Sequence, residues 1–190
     1  MKKYIIYSDT HILAPHNTGH TVAGMIQDSV ESDNRVILTG DIIDRENAKK
    51  SEVANGTRMM ADLNSRFSDA YLYGNHEGRK PTSYYYKLDN ILFLHGHTIF
   101  WNKEKVERWE NKKLGQSKFK FYRYKLWKSF KKRKNKKLHP KEVHLTIMKN
   151  LMEKFGCHTI VFGHSHRNYD VTYDWGRVIN VPQGKTILEI

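Results

Sequence analysis

Short runs of β-branched and aromatic residues alternate along this chain with longer stretches of helical period. Tyr4-Ile5-Ile6-Tyr7 within Lys3 to Asp9 reads as a buried first strand, because continuous apolar character suits a strand covered on both faces. Thr21 suits a helix N-cap, and Val22, Met25, Ile26 and Val30 mark the helix's apolar face. Arg35 to Thr39 is a second strand. Glu46 to Gly56 is polar and reads as loop or frayed helix, and Met59, Met60, Leu63 and Phe67 mark a second amphipathic helix. Ala70 to Tyr73 is expected as a third strand and Ile91 to Leu94 as a fourth. Pro140 suits the first position of a further helix, whose inward face is Val143, Ile147, Leu151, Met152 and Phe155 and which Gly156 stops. Thr159 to Phe162 is the next strand. Tyr169 to Ile190 alternates short β runs with turns at Trp175-Gly176 and Gln183-Gly184, an antiparallel pattern. Strands and helices in this order predict an α/β sheet fold with helices over its faces.

Composition adds a boundary condition. A chain of 190 residues, 38% hydrophobic, suits one domain, residues 1–190, and no stretch reaches the roughly 20 apolar residues of a membrane span. Met1-Lys2-Lys3 runs straight into a strand, unlike a signal peptide, and the single cysteine, Cys157, permits no internal disulfide; a cytoplasmic setting is expected.

Charge is confined to one place. The net charge is +13, and residues 103–137 hold sixteen Lys/Arg against three Glu, so the rest of the chain is formally neutral. Phe119, Tyr122, Leu126 and Phe130 recur there at helical spacing among the cations. The segment reads as a basic aromatic helical insert, suited to nucleic acid or to an anionic lipid surface. A plain solvated helix face is the competing reading.

The chemistry collects where strands end. Asp9 and His11, then Asp41, then Asn75 and His76, then His95, then His164 and His166 each follow a predicted strand, the place where open α/β sheets build their sites. Hard oxygens and imidazoles without thiolate suit Mn, Fe, Zn or Mg. Seven donors (Asp9, His11, Asp41, Asn75, His95, His164, His166) exceed what one catalytic ion takes while keeping a position open, which points to two ions sharing a carboxylate. Isolated histidines such as His16, His20, His144 and His158 read as ordinary polar surface.

Asp9-Thr-His11, Gly40-Asp41-Ile-Ile-Asp44-Arg45, Gly74-Asn75-His76-Glu77, His95-Gly-His97 and Gly163-His164-Ser-His166 together resemble the calcineurin-like metallophosphoesterase superfamily in order and spacing. The resemblance implies a four-layer αββα sandwich. It implies one metal on Asp9, His11 and His166, a second on Asn75, His95 and His164, and Asp41 between them, with manganese the leading candidate. His76 would sit over the substrate phosphate. Arg45 would help grip it, as in the protein-phosphatase branch. Asp44 suits a hydrogen-bonding role better than metal contact, and His97 could replace His95 or stand behind it. The implied reaction is hydrolysis of a phosphodiester or pyrophosphate bond by a metal-bound hydroxide, with the basic insert as a lid over a nucleotide, nucleic-acid or lipid-linked substrate. A helical lid occupies the similar place in lipid A precursor pyrophosphohydrolases. Phosphomonoester hydrolysis is an alternative. So is a non-catalytic scaffold binding nucleic acid or protein, as in a retromer subunit of similar fold.

Overall fold

A computed structural model describes residues 2–31, 34–77, 84–101, 103–110, 115, 117 and 140–190. Its strands form two mixed sheets. The first, β2-β1-β8, sets β1 (Lys3–Ser8) parallel to β2 (Arg35–Leu38) and antiparallel to β8 (Gly184–Glu189). The second runs β3-β4-β5-β7-β6: β3 (Tyr85–Leu88), β4 (Ile91–Leu94), β5 (Thr159–Phe162), β7 (Gly176–Asn180) and β6 (Tyr169–Tyr173). Within it, β4, β5 and β7 are mutually parallel, and the two edge strands are antiparallel to their neighbours.

The alternation of β1 explains how the sheets are stacked. Tyr4 and Ile6 point one way, into a core shared with Ile91, Phe93, Val161 and Ile179 of the second sheet. Ile5 and Tyr7 point the other way, onto Met25 of α1 (Val22–Glu31) and Met60, Leu63 and Phe67 of α2 (Val53–Phe67). On the far side of the second sheet, Leu92, Leu94, Ile160 and Phe162 pack on Met148 and Met152 of α5 (Glu142–Phe155). Each central strand is therefore covered on both faces, which is why it reads as an unbroken apolar run.

Several local expectations are met. The Thr21 hydroxyl accepts the Gly24 N–H at 3.1 Å and caps α1. Gly156, left-handed at φ 56°, ends α5 with its N–H on the Glu153 and Met152 carbonyls. The tail supplies the antiparallel pairs β6–β7 and β1–β8, although β7 also lies parallel to β5.

Others are corrected. Ala70 to Tyr73 is no strand: a 3-10 turn spans Ser68–Ala70, and Tyr71 makes a single parallel bridge to Leu38. The turn leaves too little extended chain for a ladder before Gly74. The polar stretch before Met59 is helical from Val53, after a 3-10 turn at Lys50–Glu52. There Gly56 packs so closely that a Cβ would come within 2.9 Å of both Arg45 Cγ and Leu13 Cδ1, so helix–loop contact overrides weak local propensity. Pro140 precedes the Lys141 N-cap and lies outside α5. The strand β3 and the short α3 (His97–Phe100) were not expected. Of the basic insert, α4 (Lys103–Glu110), Gly115 and Ser117 are described. Its expected helices at Phe119 to Phe130 fall outside the described residues.

Candidate metal centre

Two pairs of neighbouring strands deliver all the donors except Asn75. Beyond β1 and β2 the chain stays paired: Asp9 N–H donates to Gly40 O at 3.0 Å, His11 N–H to Asp41 O at 2.9 Å and Ile12 N–H to Ile42 O at 2.9 Å. Asp9 and His11 are thus locked beside Asp41 and Asp44. Beyond β4 and β5, Gly163 N–H donates to His95 O at 3.2 Å and brings His95 to His164. The sheets meet at Asp9, whose Oδ2 accepts His164 N–H at 2.9 Å and the Ser8 hydroxyl at 2.5 Å.

The backbone at these positions is unusual. Asp9, His11, Asp41, His164 and His166 are all left-handed, with φ between 51° and 64°. Such conformations cost non-glycine residues of order 1–3 kcal/mol each and gather at functional sites. Gly40 shows why one turn needs glycine. Its φ is 92°, and a Cβ there would come within 2.6 Å of Gly74 N and 2.8 Å of the His95 ring.

The side chains converge into two triads, Asp9–His11–His166 and Asp41–His95–His164, each with ligand-type atoms within 4.8 Å of one another. His166 Nε2 stands 3.1 Å from Asp9 Oδ1, and His95 Nε2 stands 3.3 Å from Asp41 Oδ2 and 3.2 Å from His164 Nδ1. His11 also joins His76 around Asp44, with His11 Nδ1 at 3.1 Å and His76 Nδ1 at 3.3 Å from Asp44 Oδ2. Asn75 is buried in the Gly74–Glu77 turn, which His76 N–H ties to Asp41 Oδ1 at 2.7 Å.

Electrostatics follow from that crowding. Burial works to raise the Asp9 carboxyl, but the charges of His95 and His166 outweigh it and hold it well below the carboxylate range. Asp41 is likewise depressed against burial, by His95, His76 and His11. Burial opposes charge on His95, yet Asp41 and Asp9 push it up to about 9. His76 rises to about 10, because Asp44, Asp41 and Glu46 overcome the same burial penalty. His164 is pushed far down, by burial first and then by the His95 charge.

These residues fit metal ions on their own chemistry. His11 Nε2 and Asn75 Oδ1 are buried polar atoms with no hydrogen-bond partner, an arrangement that costs stability unless something else satisfies them. His95 turns its Nδ1 to the Thr39 carbonyl at 2.9 Å and His11 its Nδ1 to Asp44, leaving each Nε2 aimed inward, as a ligating imidazole requires.

Against this geometry, a family model, Calcineurin-like phosphoesterase, matches residues 2–168. The chain belongs to that family. It is a metal-dependent phosphoesterase with candidate His/Asp metal clusters. Among curated proteins no sequence matches it. Solved structures similar to the phosphoesterase include Vacuolar Protein Sorting 29 from Cryptosporidium parvum, 10% identical with TM-score 0.47, covering 96% of this chain and 74% of that one. A predicted phosphoesterase from Streptococcus pneumoniae is 14% identical, TM-score 0.44, covering 96% and 72%. A cold-active protein-tyrosine phosphatase from a Shewanella species is 16% identical, TM-score 0.45, covering 100% and 76%. Among the described residues, no helix of the phosphoesterase is long and apolar enough to cross a membrane.

Other expected residues have definite places. Arg45 is buried, and its Nη1 reaches Met60 Sδ at 3.5 Å in α2. Asp44 is a hydrogen-bond hub: besides the two imidazoles it accepts Asn47 N–H at 2.8 Å. His97 opens α3 and is buried; burial, then the His95 charge, lowers it to about 3, so it is neutral. It stands outside both triads, its ring 5.3 Å from that of His95. His144 accepts Lys141 N–H at 3.1 Å, as a capping residue.

Three further residues, to which the sequence assigns no role in the site, contribute to it. His16 reads as surface in the sequence, but its ring lies 4.4 Å from that of His11 and its Nε2 is 3.9 Å from Asp44 Oδ2. Glu77 is fully buried and accepts Asp41 N–H at 3.0 Å, Ile42 N–H at 2.7 Å and Gly74 N–H at 2.8 Å, fastening two ligand-bearing turns together. Burial and the Asp41 charge push it up to about 8. Asn180, at the end of β7, donates to Phe162 O at 3.0 Å and Gly163 O at 2.9 Å and accepts Ser165 Oγ and Arg167 N. A polar residue closing the run Arg177-Val178-Ile179 was the available signal for Asn180.

Proposed function

We propose that the phosphoesterase hydrolyses a phosphodiester or pyrophosphate bond using two divalent ions, manganese the leading candidate. In this reading Asp9, His11 and His166 hold one ion and Asn75, His95 and His164 the other, with Asp41 shared. The observation that carries it is the pair of His/Asp triads, together with the buried orphan atoms His11 Nε2 and Asn75 Oδ1. When bound, such ions polarise phosphoryl oxygens and lower the pKa of a coordinated water.

The chain's own groups do the rest. His76 turns Nδ1 to Asp44 and Glu46, at 3.3 and 3.4 Å, so Nε2 faces the centre, 3.8 Å from Asp41 Oδ2. Without metal those carboxylates raise His76 to about 10; as an imidazolium it would neutralise the phosphoryl group and pass the Nε2 proton to the leaving oxygen, worth about 10²–10⁴-fold. Arg45 acts as a phosphate grip only once it turns from Met60. The basic segment 103–137 serves as the lid over the anionic substrate, in a cytoplasmic enzyme.

The test is hydrolysis of bis(p-nitrophenyl) phosphate with Mn²⁺. Asp41→Ala should fall by at least about 10³ in kcat/KM, with fewer Mn²⁺ bound per chain, and His76→Gln by about 10²–10⁴ with Mn²⁺ content retained. Full activity in both variants would end this reading.

A further inference from the structure

The basic insert makes one contact on the first sheet's side of the metal centre that the mechanism above does not use. The chain leading into it leaves β4 through α3, where Phe100 stacks on His164 at 26° and Trp101 meets the same imidazole edge-on, with centroids 5.1 Å apart. Beyond α4 lies Gly115, whose N–H donates to the Arg45 carbonyl at 3.0 Å. This stretch therefore starts against a ligand turn of the second sheet and ends on the turn beyond β2. The landing admits glycine alone. The φ of Gly115 is 77°, and a Cβ there would come within 2.8 Å of Val53 Cγ2, 3.0 Å of Lys50 Cα and 3.2 Å of Lys50 Cγ.

The turn it lands on is the one that holds His76. Arg45 N–H and Glu46 N–H both donate to the His76 carbonyl, at 3.1 and 3.3 Å. Asn47 Nδ2 lies 2.9 Å from His76 Nδ1 and donates to Asp44 Oδ2 at 2.9 Å. Residues 44–47 thus fix His76 through its backbone and through its ring, and Gly115 is wedged between that turn and the start of α2.

We propose that Gly115 is a positioning residue of the active site: by seating the insert on the Arg45 carbonyl it clamps the Asp44-to-Asn47 turn, and so keeps His76 Nε2 aimed at the leaving oxygen. The inference rests on the phosphoesterase reading, in which His76 passes that proton, and adds the insert to the parts that aim it. Proton transfer is steep in geometry. A small displacement of the imidazole therefore costs rate where the leaving group is poor and little where it is good.

Gly115→Ala adds the Cβ for which the seat has no room. Its hydrolysis of diphenyl phosphate, with a poor leaving group, is compared with that of bis(p-nitrophenyl) phosphate, with a good one, in Mn²⁺. Relative to wild type, kcat should fall about tenfold or more on the first and less than about threefold on the second, with KM and bound Mn²⁺ unchanged. Adding Val53→Ala, which removes the Cγ2 nearest that Cβ, should return part of the loss, and the double variant carries the same comparison if the single one does not fold. In a His76→Gln background, Gly115→Ala should leave the ratio of the two esters where it was. Equal losses on both esters, a ratio that still moves without His76, or no loss at all would each overturn the proposal. Nitrogen-15 spectra of the metal-free protein give a readout independent of turnover. Gly115→Ala should shift the His76 ring resonances, identified by their absence from His76→Gln, and leave those of His158 in place. If wild type hydrolysed neither ester, the phosphoesterase reading would fail separately, and His76 resonances that do not move would overturn the clamp.

Discussion

Replacing Asn180 by leucine keeps the side chain's size and removes every hydrogen bond it makes. Asn180 is wholly buried at the end of β7, and its four bonds hold the Gly163-to-Arg167 turn on which His164 and His166 ride. Phe162 O keeps Val181 N–H and Gly163 O keeps Ser165 N–H, so neither carbonyl is fully orphaned. Counting about 0.5–1.5 kcal/mol for each of four bonds, and discounting for the carbonyls that stay partnered, gives a loss of about 2–4 kcal/mol. At roughly 2–4 °C per kcal/mol for a chain of this size, Tm should fall by about 4–16 °C. The turn carries two left-handed histidines, at φ 64° and 53°, which persist only while their surroundings dictate them. Mn²⁺ affinity should therefore drop about 10–100-fold as well, as it does when a ligand's support is removed. Thermal unfolding with EDTA, and calorimetric titration with Mn²⁺, read the two effects separately. A Tm lowered as expected with Mn²⁺ affinity unchanged would refute the reasoning, because Asn180 would then be a core residue and no support of the site.

Three further outcomes follow from the same geometry. Glu77→Ala leaves the buried N–H groups of Asp41, Ile42 and Gly74 without their acceptor and should cost about 3 kcal/mol or more, seen as a lower urea midpoint; a change within about 0.5 kcal/mol would contradict the role given to Glu77. In the metal-free protein His95 and His76 titrate at about 9 and about 10 against an ordinary 6.5. Folded values above unfolded ones give stability that is complete below about pH 6.5 and lost as pH rises through about 9 to 10, so the metal-free Tm should fall across that window. Because a ligating imidazole must give up its proton, Mn²⁺ binding should release protons and tighten as pH rises from about 6.5 to 8.5; calorimetry in buffers of different ionisation enthalpy checks it, and affinity that is flat or falling would count against His95 as a ligand.

Much of this protein is legible in its residues. The apolar runs of β1, β2, β4 and β5 identify themselves, because a strand covered on both faces must be apolar at every position. The donors at their ends could be named because chemistry at strand termini leaves polar groups in set places after apolar runs. What the sequence could not reveal is anything fixed by contact across the fold. Tyr71 spans only a single bridge to Leu38 because the Ser68–Ala70 turn uses up the extended chain. The helix α2 starts six residues before Met59, its first expected apolar position, because Gly56 can lie against Arg45 and Leu13. His16 reads as surface until the loop returns it to His11. Asn180 and Glu77 act through backbone groups far away in the chain, and a backbone N–H or carbonyl leaves no mark in the order of side chains. Local pattern therefore determined which residues carry the chemistry, and long-range hydrogen bonds between turns decided how they are aimed.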